Sequence, residues 1–276
     1  MDTRFLSSLV AVVEEGSFAA AARREHVTAS AIAQRVTALE GEMGVELLRR
    51  AGRVVQPTEA CRNVLPQVRQ ILRETTQLQN TLRGAVLSGR LRLGAVSTAM
   101  WDYAGPLLRH MNAEAPDLAV QLVPGTSQSL YEALEQDVID AALLVAPPFV
   151  IPKAFAFFEI VQQPIGVLRP ADARSDLPYL VYSREAWGGA QCWALLEELT
   201  AEPEILAEMD ALEVIAQLVA EGAAQAVLPQ WRGLARHASI CFTPYAGHMR
   251  PLGVLCHQRD ADSKLIALLC EGVLQT

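Results

Sequence analysis

Lysine is almost missing from this chain. None precedes Lys153, so every positive side chain in the first half is an arginine. Cysteine is present but in no usable pattern. Five are scattered at 61, 192, 241, 256 and 270, an odd number with no C-x-x-C pair. That excludes a disulfide framework and a zinc ribbon, and leaves buried free thiols in a reducing cytoplasm as the expectation. The five histidines do not recur at metal-ligand spacing, and Cys256 and His257 adjoin in a strand pattern, where neighbours face opposite sides. No GxSxG, Walker loop, GxGxxG or HExxH occurs, so nothing points to hydrolase, nucleotide or zinc-protease chemistry, and no cofactor or metal is expected. Long hydrophobic runs are absent too. The apolar stretch after Arg4 is short, follows Asp2 and is closed by Glu14 and Glu15. Its Leu6, Leu9, Val10 and Val13 fall on one helical face, which argues for a packed helix rather than a signal peptide or a membrane span.

What is present is a charge asymmetry. The net charge is −8, unpromising for a partner of nucleic acid. Yet residues 1–92 hold 13 arginines against 9 acidic residues, and the acidic excess lies entirely beyond them. A basic end on an acidic body is what a protein needs when only that end meets a polyanion.

Periodicity divides the chain into three parts. Residues 3–14 predict a helix ended by Gly16. A second helix follows over 18–25, thinned by Ala19 to Ala22 so that a neighbour can approach. A third, about 29–41, is capped by Thr28 and turns Ile32, Val36 and Leu39 inward. Between the last two lies a tight break, Glu25-His26-Val27-Thr28. Two short strands around Ala51-Gly52 come next. From Pro57-Thr58 a long helix is expected to about residue 87, with Val64, Val68, Ile71, Thr75, Leu78 and Leu82 spaced as a coiled-coil seam that nothing nearby covers, hence a dimer helix. After Gly89 the pattern becomes alternating strand and helix with short loops: two α/β lobes of parallel strands, with 155–163 and 240–250 as the crossovers between them. Ligands in such sheets bind beyond the carboxyl ends of the strands, so two facing lobes form a cleft there.

The segment VAVVEEGSFAAAARREHVTASAIAQRVTALEGEMGVELLRR, with PTEA at 57–60, resembles the LysR-type transcriptional regulators. SLYEALEQDVIDAALLV and LEVIAQLVAEGAAQAVLP continue the resemblance across the remaining chain. It implies an N-terminal all-α winged helix-turn-helix over 1–57 and a linker and dimerisation helix over 58–88. It also implies a C-terminal α/β two-lobed effector domain over 89–276, like the type 2 periplasmic binding proteins. Lobe 1 would take about 89–160 and 248–276, lobe 2 about 161–247. The implied protein is a DNA-binding homodimer or homotetramer that answers to a small-molecule effector, touches RNA polymerase if it is an activator, and has no membrane partner. The stretches VTASAIAQRVTALE and TPYAGHMRPLGVLCHQR look most like the branch that responds to lysine or arginine. Departures exist: Ala29 and Ala33 stand where Gln and Ser are common, Thr37 and Ala38 where basic residues often occur, and Cys61 where Gly is usual.

The major groove admits one helix and carries a distinctive donor and acceptor code. Gln34 suits adenine, Arg35 suits guanine, and Thr28, Ser30 and Thr37 suit phosphates or bases. Arg49, Arg50 and Arg53 around the wing, with Thr58 behind it, suit phosphates or the minor groove; plain solvated surface is the alternative for each. In the lobes, Ser97 and Thr98 after the first strand, and Thr126 and Ser127 after the second, open helices whose N-termini favour a carboxylate, or they merely cap them. Ser183, Trp187 and Asp210 hold the matching places in lobe 2, where Asp210 either caps its helix or faces an amine. Trp101 lines the cleft or belongs to the core. The alternative function is a small-molecule sensor with a degenerate helix-turn-helix, suggested by Ala29 and Ala33. An enzyme is not expected.

Overall fold

A computed structural model describes residues 2–51, 54–82, 87–172 and 177–274. The chain divides into two compact units, Met1–Val86 and Leu87–Thr276.

In the first unit, α1 (Thr3–Glu15) is capped by Asp2, whose carboxylate accepts the Arg4 N–H at 2.9 Å. The Arg4 guanidinium bonded to it holds that carboxyl down at about 2. Gly16 ends α1 in the left-handed region at φ 68°, and its N–H donates to Val12 O. Ser17 caps α2 (Phe18–Arg24) and Thr28 caps α3 (Ala29–Met43), each accepting a first-turn N–H. Ala21 and Ala22 are buried, so α2 lies close against its neighbours, as the alanine run predicts. The apolar stretch that imitates a leader is the buried face of α1: Leu6 and Leu9 pack with Leu39, Leu47, Cys61 and Leu65. No single helix among the described residues is long and apolar enough to cross a membrane. β1 (Leu48–Ala51) and β2 (Val54–Pro57) pair antiparallel, the expected wing.

The long helix, α4 (Glu59–Leu82), corrects one expectation. Val64, Val68 and Ile71 pack against α1 of the same chain, so the first half of the supposed seam is intramolecular core. The heptad spacing is genuine, but a four- or three-residue step marks any buried helix stripe, whichever partner covers it. Thr75 turns its hydroxyl back to Ile71 O, and Leu78 is 62% exposed. The uncovered part of the stripe therefore begins near Leu78.

The second unit is one mixed sheet of eight strands between helices. β3 (Gly89–Ala95), β4 (Leu118–Pro124) and β5 (Ala141–Val145) are parallel, and so are β7 (Tyr179–Tyr182), β8 (Ile205–Met209) and β9 (Gln225–Pro229). Two long strands, β6 (Phe155–Pro170) and β10 (Ile240–His257), run antiparallel to each other through both groups. The order is β4-β3-β5-β10-β6-β9-β7-β8. The stretches read as crossovers are thus themselves strand, not loop, and the sheet is mixed where a wholly parallel one was expected. Two connecting segments lying side by side satisfy their backbone N–H and C=O groups by pairing, which a bare loop would leave to water. They approach closely: a side-chain carbon on Gly166 would collide with the carbonyl oxygen of Thr243.

Each half carries its own core. Leu93, Leu107, Leu143, Leu255 and Leu269 belong to one, Leu180, Leu195, Ile215 and Leu228 to the other. The helices are α5 (Ser97–Glu114), α6 (Ser127–Glu135), α7 (Gly189–Leu199), α8 (Leu212–Ala220) and α9 (Lys264–Leu274), with a 3-10 turn at Arg232–Arg236. Burial pushes the thiols of Cys192 and Cys256 up to about 12 and that of Cys61 to about 11, so these three are protonated packing groups.

Candidate nucleic-acid interface and effector cleft

The break between α2 and α3 is tight because His26 takes a left-handed conformation (φ 54°) and Thr28 caps the next turn at 3.1 Å from Ala31 N. Ile32, Val36 and Leu39 anchor the inner face of α3. On its outer face Ser30, Gln34 and Thr37 are exposed at i, i+4 and i+7, a single polar stripe. Ala29 and Ala38 are exposed beside them, and Ala33 is half-buried.

Arg35 is placed differently from the expectation. Its Nη1 donates to Glu25 Oε2 at 3.0 Å and to Ser8 Oγ at 3.2 Å, and Glu25 also accepts from the Ser7 and Ser8 hydroxyls at 2.7 Å. Glu25, at the break, thereby ties α3 to α1. A guanidinium so engaged is a strut of the motif, not a side chain standing free to meet guanine. Its place in the reading helix and its guanidinium fork suggested a reader of guanine. On a helix, adjacent residues diverge by about 100°, and Arg35 falls on the flank. Thr58 is likewise engaged: its hydroxyl donates to Glu46 O and accepts Cys61 N–H at 3.1 Å, fastening the wing to α4. Arg49 and Arg50 are exposed on β1. Arg53 lies outside the described residues.

In the second unit the anticipated cleft residues separate into two groups. Thr126 and Ser127 are spent on structure. Thr126 forms a capping box with Ser129, and the buried Ser127 hydroxyl accepts Val145 N–H at 3.1 Å. In contrast α5, α7 and α8 begin at Val96, Gly188 and Ala211, with no side-chain cap. Ser97 is exposed, and Asp210 does not cap α8; burial raises its carboxyl, which lies near Tyr182. Ser183 is half-buried at the end of β7. Trp187 reaches from lobe 2 to the other lobe, 5.9 Å from Tyr131 and 5.5 Å from Phe149 between ring centroids. Trp101 is 47% exposed under the guanidinium of Arg236.

Thr98 leads to a group that sequence reasoning missed. Its hydroxyl accepts Arg250 Nη2 at 3.0 Å. Arg250 is 1% exposed, among the largest fully buried side chains of the protein. Its Nε and Nη2 donate to Gln163 Oε1 at 3.0 and 2.5 Å, and Tyr182 and Gly188 stand beside it. It therefore sits between the first turns of α5 and α7, on β10, with Gln163 on β6. Burial lowers its affinity for the proton, and it makes no ion pair with any described residue. Asp102 is near enough to act on it, but the Asp102 carboxylate accepts the Arg232 and Gly233 N–H groups, and burial raises its pKa. The sequence signal was faint: one arginine, between Met249 and Pro251, at the head of the apolar run LGVLC.

A groove of about 570 Å³ opens between α5 and the 3-10 turn, lined by Asp102, Tyr103, Gln163, Trp231, Arg232 and Phe242 among others. Gln163 forms part of its wall and is also the acceptor for Arg250.

Comparison with known proteins agrees with this architecture. The description "Bacterial regulatory helix-turn-helix protein, lysR family" matches residues 3–62, and "LysR substrate binding domain" matches residues 84–276. The HTH-type transcriptional activator IlvY of Salmonella typhimurium is 26% identical over 246 residues, 83% of each chain. The nitrogen assimilation regulatory protein nac of Escherichia coli is 35% identical over 147 residues, 52% of this chain and 48% of its own. Among solved structures, a full-length OxyR variant of Pseudomonas aeruginosa superposes with a TM-score of 0.76 at 20% identity, covering 99% of this chain and 98% of that one. ArgP of Mycobacterium tuberculosis superposes at 0.71 and 20% identity, covering 100% and 97%. These two likenesses establish the fold. With both family descriptions together spanning nearly the whole length, the chain belongs to the LysR family: it is a transcriptional regulator with a helix-turn-helix DNA-binding unit and a two-lobed small-molecule-binding unit.

Proposed function

We propose that Ser30, Gln34 and Thr37 enter the major groove of double-stranded DNA, that Arg49, Arg50 and Arg53 hold flanking phosphates, and that a small molecule bound between the two lobes alters this DNA contact. The observation that carries the reading is the exposed polar stripe on α3, opposite a face anchored by Ile32, Val36 and Leu39. Gln34 offers an amide that pairs with adenine, while Ser30 and Thr37 reach backbone or base edges. Thr28 and Thr58 act as helix caps beside that surface. Arg35 holds the helix in place.

The coupling is one of linkage. An effector that prefers one arrangement of the lobes shifts its population, and a homodimer or homotetramer turns that shift into a changed spacing of the reading helices. The protein acts in the cytoplasm, uses no resident cofactor and catalyses no reaction. Contact with RNA polymerase belongs to the activator case. An amino acid is the first effector class to test, with L-lysine and L-arginine from the family resemblance; the ArgP likeness supports only the fold.

The test is a footprint of the full-length protein on the DNA upstream of its own gene at two salt concentrations. Two-fold symmetric protection that weakens steeply with salt is expected, and Gln34→Ala should remove sequence preference. The second reading, suggested by Ala29 and Ala33, is a small-molecule sensor with a degenerate reading helix. Absent protection at low salt, with ligand binding retained, would establish that one.

A further inference from the structure

The two halves of the second unit keep separate apolar cores, and bodies joined in that way move relative to each other more readily than parts of one core. β6 and β10 run through both halves. Their register breaks between Pro244 and Met249, close to where they pass from one half to the other, and Gly247 inside that break takes φ 85°. Extra residues on one strand bend it and interrupt its ladder, so the strands yield most easily there.

Away from the strands, α5 of lobe 1 meets the 3-10 turn of lobe 2 through a few side chains. The Asp102 carboxylate accepts the Arg232 N–H at 3.0 Å and the Gly233 N–H beside it. Trp101, its chain neighbour, lies under Arg236, with the guanidinium carbon 4.4 Å from the ring centroid. Adjacent residues on a helix diverge by about 100°, so α5 grips both ends of the turn. Gly233 permits the approach: a side-chain carbon there would collide with the indole nitrogens of Trp231 and Trp101. None of this is core packing. Asp102 makes no ion pair with any described residue, and burial raises its pKa, so the carboxylate regains water when the contact parts. Trp101 and Arg236 are both exposed, which keeps their attraction small. Meanwhile the floor of the cleft is enclosed, with Thr98 and Arg250 each 1% exposed. A molecule arriving from solvent reaches that floor only after the lobes part.

We propose that Asp102, Trp101 and Arg236 form a releasable clasp that holds the two lobes together, and that the clasp lets go before a ligand enters between them. The proposal rests on the reading of the second unit as a ligand-binding one and gives these three residues a positioning role. They set the population of the parted arrangement, and that population governs entry. Trp187 makes a separate contact between the lobes, on Tyr131 and Phe149, neither of which lies on α5 or the 3-10 turn. Its indole therefore reports lobe separation independently of the clasp.

The experiment combines backbone amide hydrogen exchange with fluorine NMR of the full-length protein carrying fluorotryptophan, its four resonances assigned by single Trp→Phe replacements. Arg236→Ala leaves in place the Asp102 acceptor of the Arg232 and Gly233 amides. Their exchange should nevertheless quicken about 2- to 5-fold, the weight of an exposed cation–π contact. Trp101→Ala should do the same, and Arg236→Lys should recover part of the protection. The Trp187 resonance should move in one direction in both alanine variants. Gly233→Ala, which wedges the indoles apart while keeping every partner, should move it further. Unchanged exchange at both amides in a folded Arg236→Ala overturns the proposal. So does faster exchange with the Trp187 resonance unmoved, since that describes a frayed turn and not parted lobes. Either failure would leave the footprint on DNA in place, whereas loss of that footprint in the unaltered protein would strike the regulator reading and not the clasp.

Discussion

At the scale of single residues, the two arginines that matter most are both engaged, in opposite ways. Arg35 has a carboxylate partner, with side-chain exposure of 24% against 14% for Glu25. Arg35→Ala should cost about 1–3 kcal/mol of stability, because Glu25 keeps its hydroxyl donors and loses its cation. Gln34→Ala, on the exposed stripe, should change stability by less than about 0.5 kcal/mol while weakening DNA binding by about 1–3 kcal/mol. Thermal melts and a binding isotherm on both variants separate the strut from the reader; a Gln34→Ala protein that binds normally would remove that glutamine from the interface. Asp102 yields a pH prediction. Burial raises its folded-state pKa above the ordinary carboxylate value, so its ionisation opposes folding, and stability declines as pH rises through that range. Asp102→Asn retains an acceptor for Arg232 N–H without the charge. Its melting temperature should exceed that of the unmodified protein near neutral pH, and the gap should close as pH falls and Asp102 protonates.

Elements show where local pattern suffices and where it misleads. The helix-turn-helix was legible because each signal in it is local: Ser17 and Thr28 cap, Gly16 and Gly44 stop, and Ile32, Val36 and Leu39 recur on one face. The α4 stripe was legible as a stripe but not as to its partner. Val64 and Val68 have the spacing of a two-chain seam, yet α1 of the same chain covers them, since a heptad records burial and not the identity of the neighbour. The paired strands β6 and β10 offer a third case. Gly166 permits their close approach, and Gly166→Ala should destabilise the second unit by about 1–3 kcal/mol or more, because the obstructing atom is backbone and cannot rotate away. Denaturant unfolding of that variant measures this. A melt unchanged from the parent would mean that the strands part more easily than their pairing suggests.

On the scale of the whole molecule, function requires that a small-molecule unit and a DNA-binding unit share one chain. The charge asymmetry serves this. An arginine-bearing N-terminal part meets phosphate, and the acidic remainder is repelled by the same polyanion, which discourages the lobes from lying on DNA. DNA affinity should accordingly fall by orders of magnitude between low and physiological salt. Within the second unit, Trp187 bridges the lobes. Trp187→Ala should loosen that bridge and weaken ligand binding several-fold without touching the ligand, and calorimetry would detect it.

The sequence by itself determined the helix-turn-helix, the wing, the alternation of parallel strands with helices within each lobe and the division into two lobes. Each of these is written in caps, periods and breaks that act over a few residues. It also marked Thr98, Trp187 and the outer face of α3. Only the tertiary structure decided what those residues touch. Thr126 and Ser127 had the composition of ligand-binding loops and proved to be a capping box and a buried acceptor. Arg250 looked like one more charge in a crossover and proved to be enclosed between two helix N-termini. Thr98 and Arg250 are separated by 152 positions and meet at 3.0 Å. Pairing of β3 with β5 and of β5 with β10 sets them in one sheet, and no pattern of short range encodes so distant a contact.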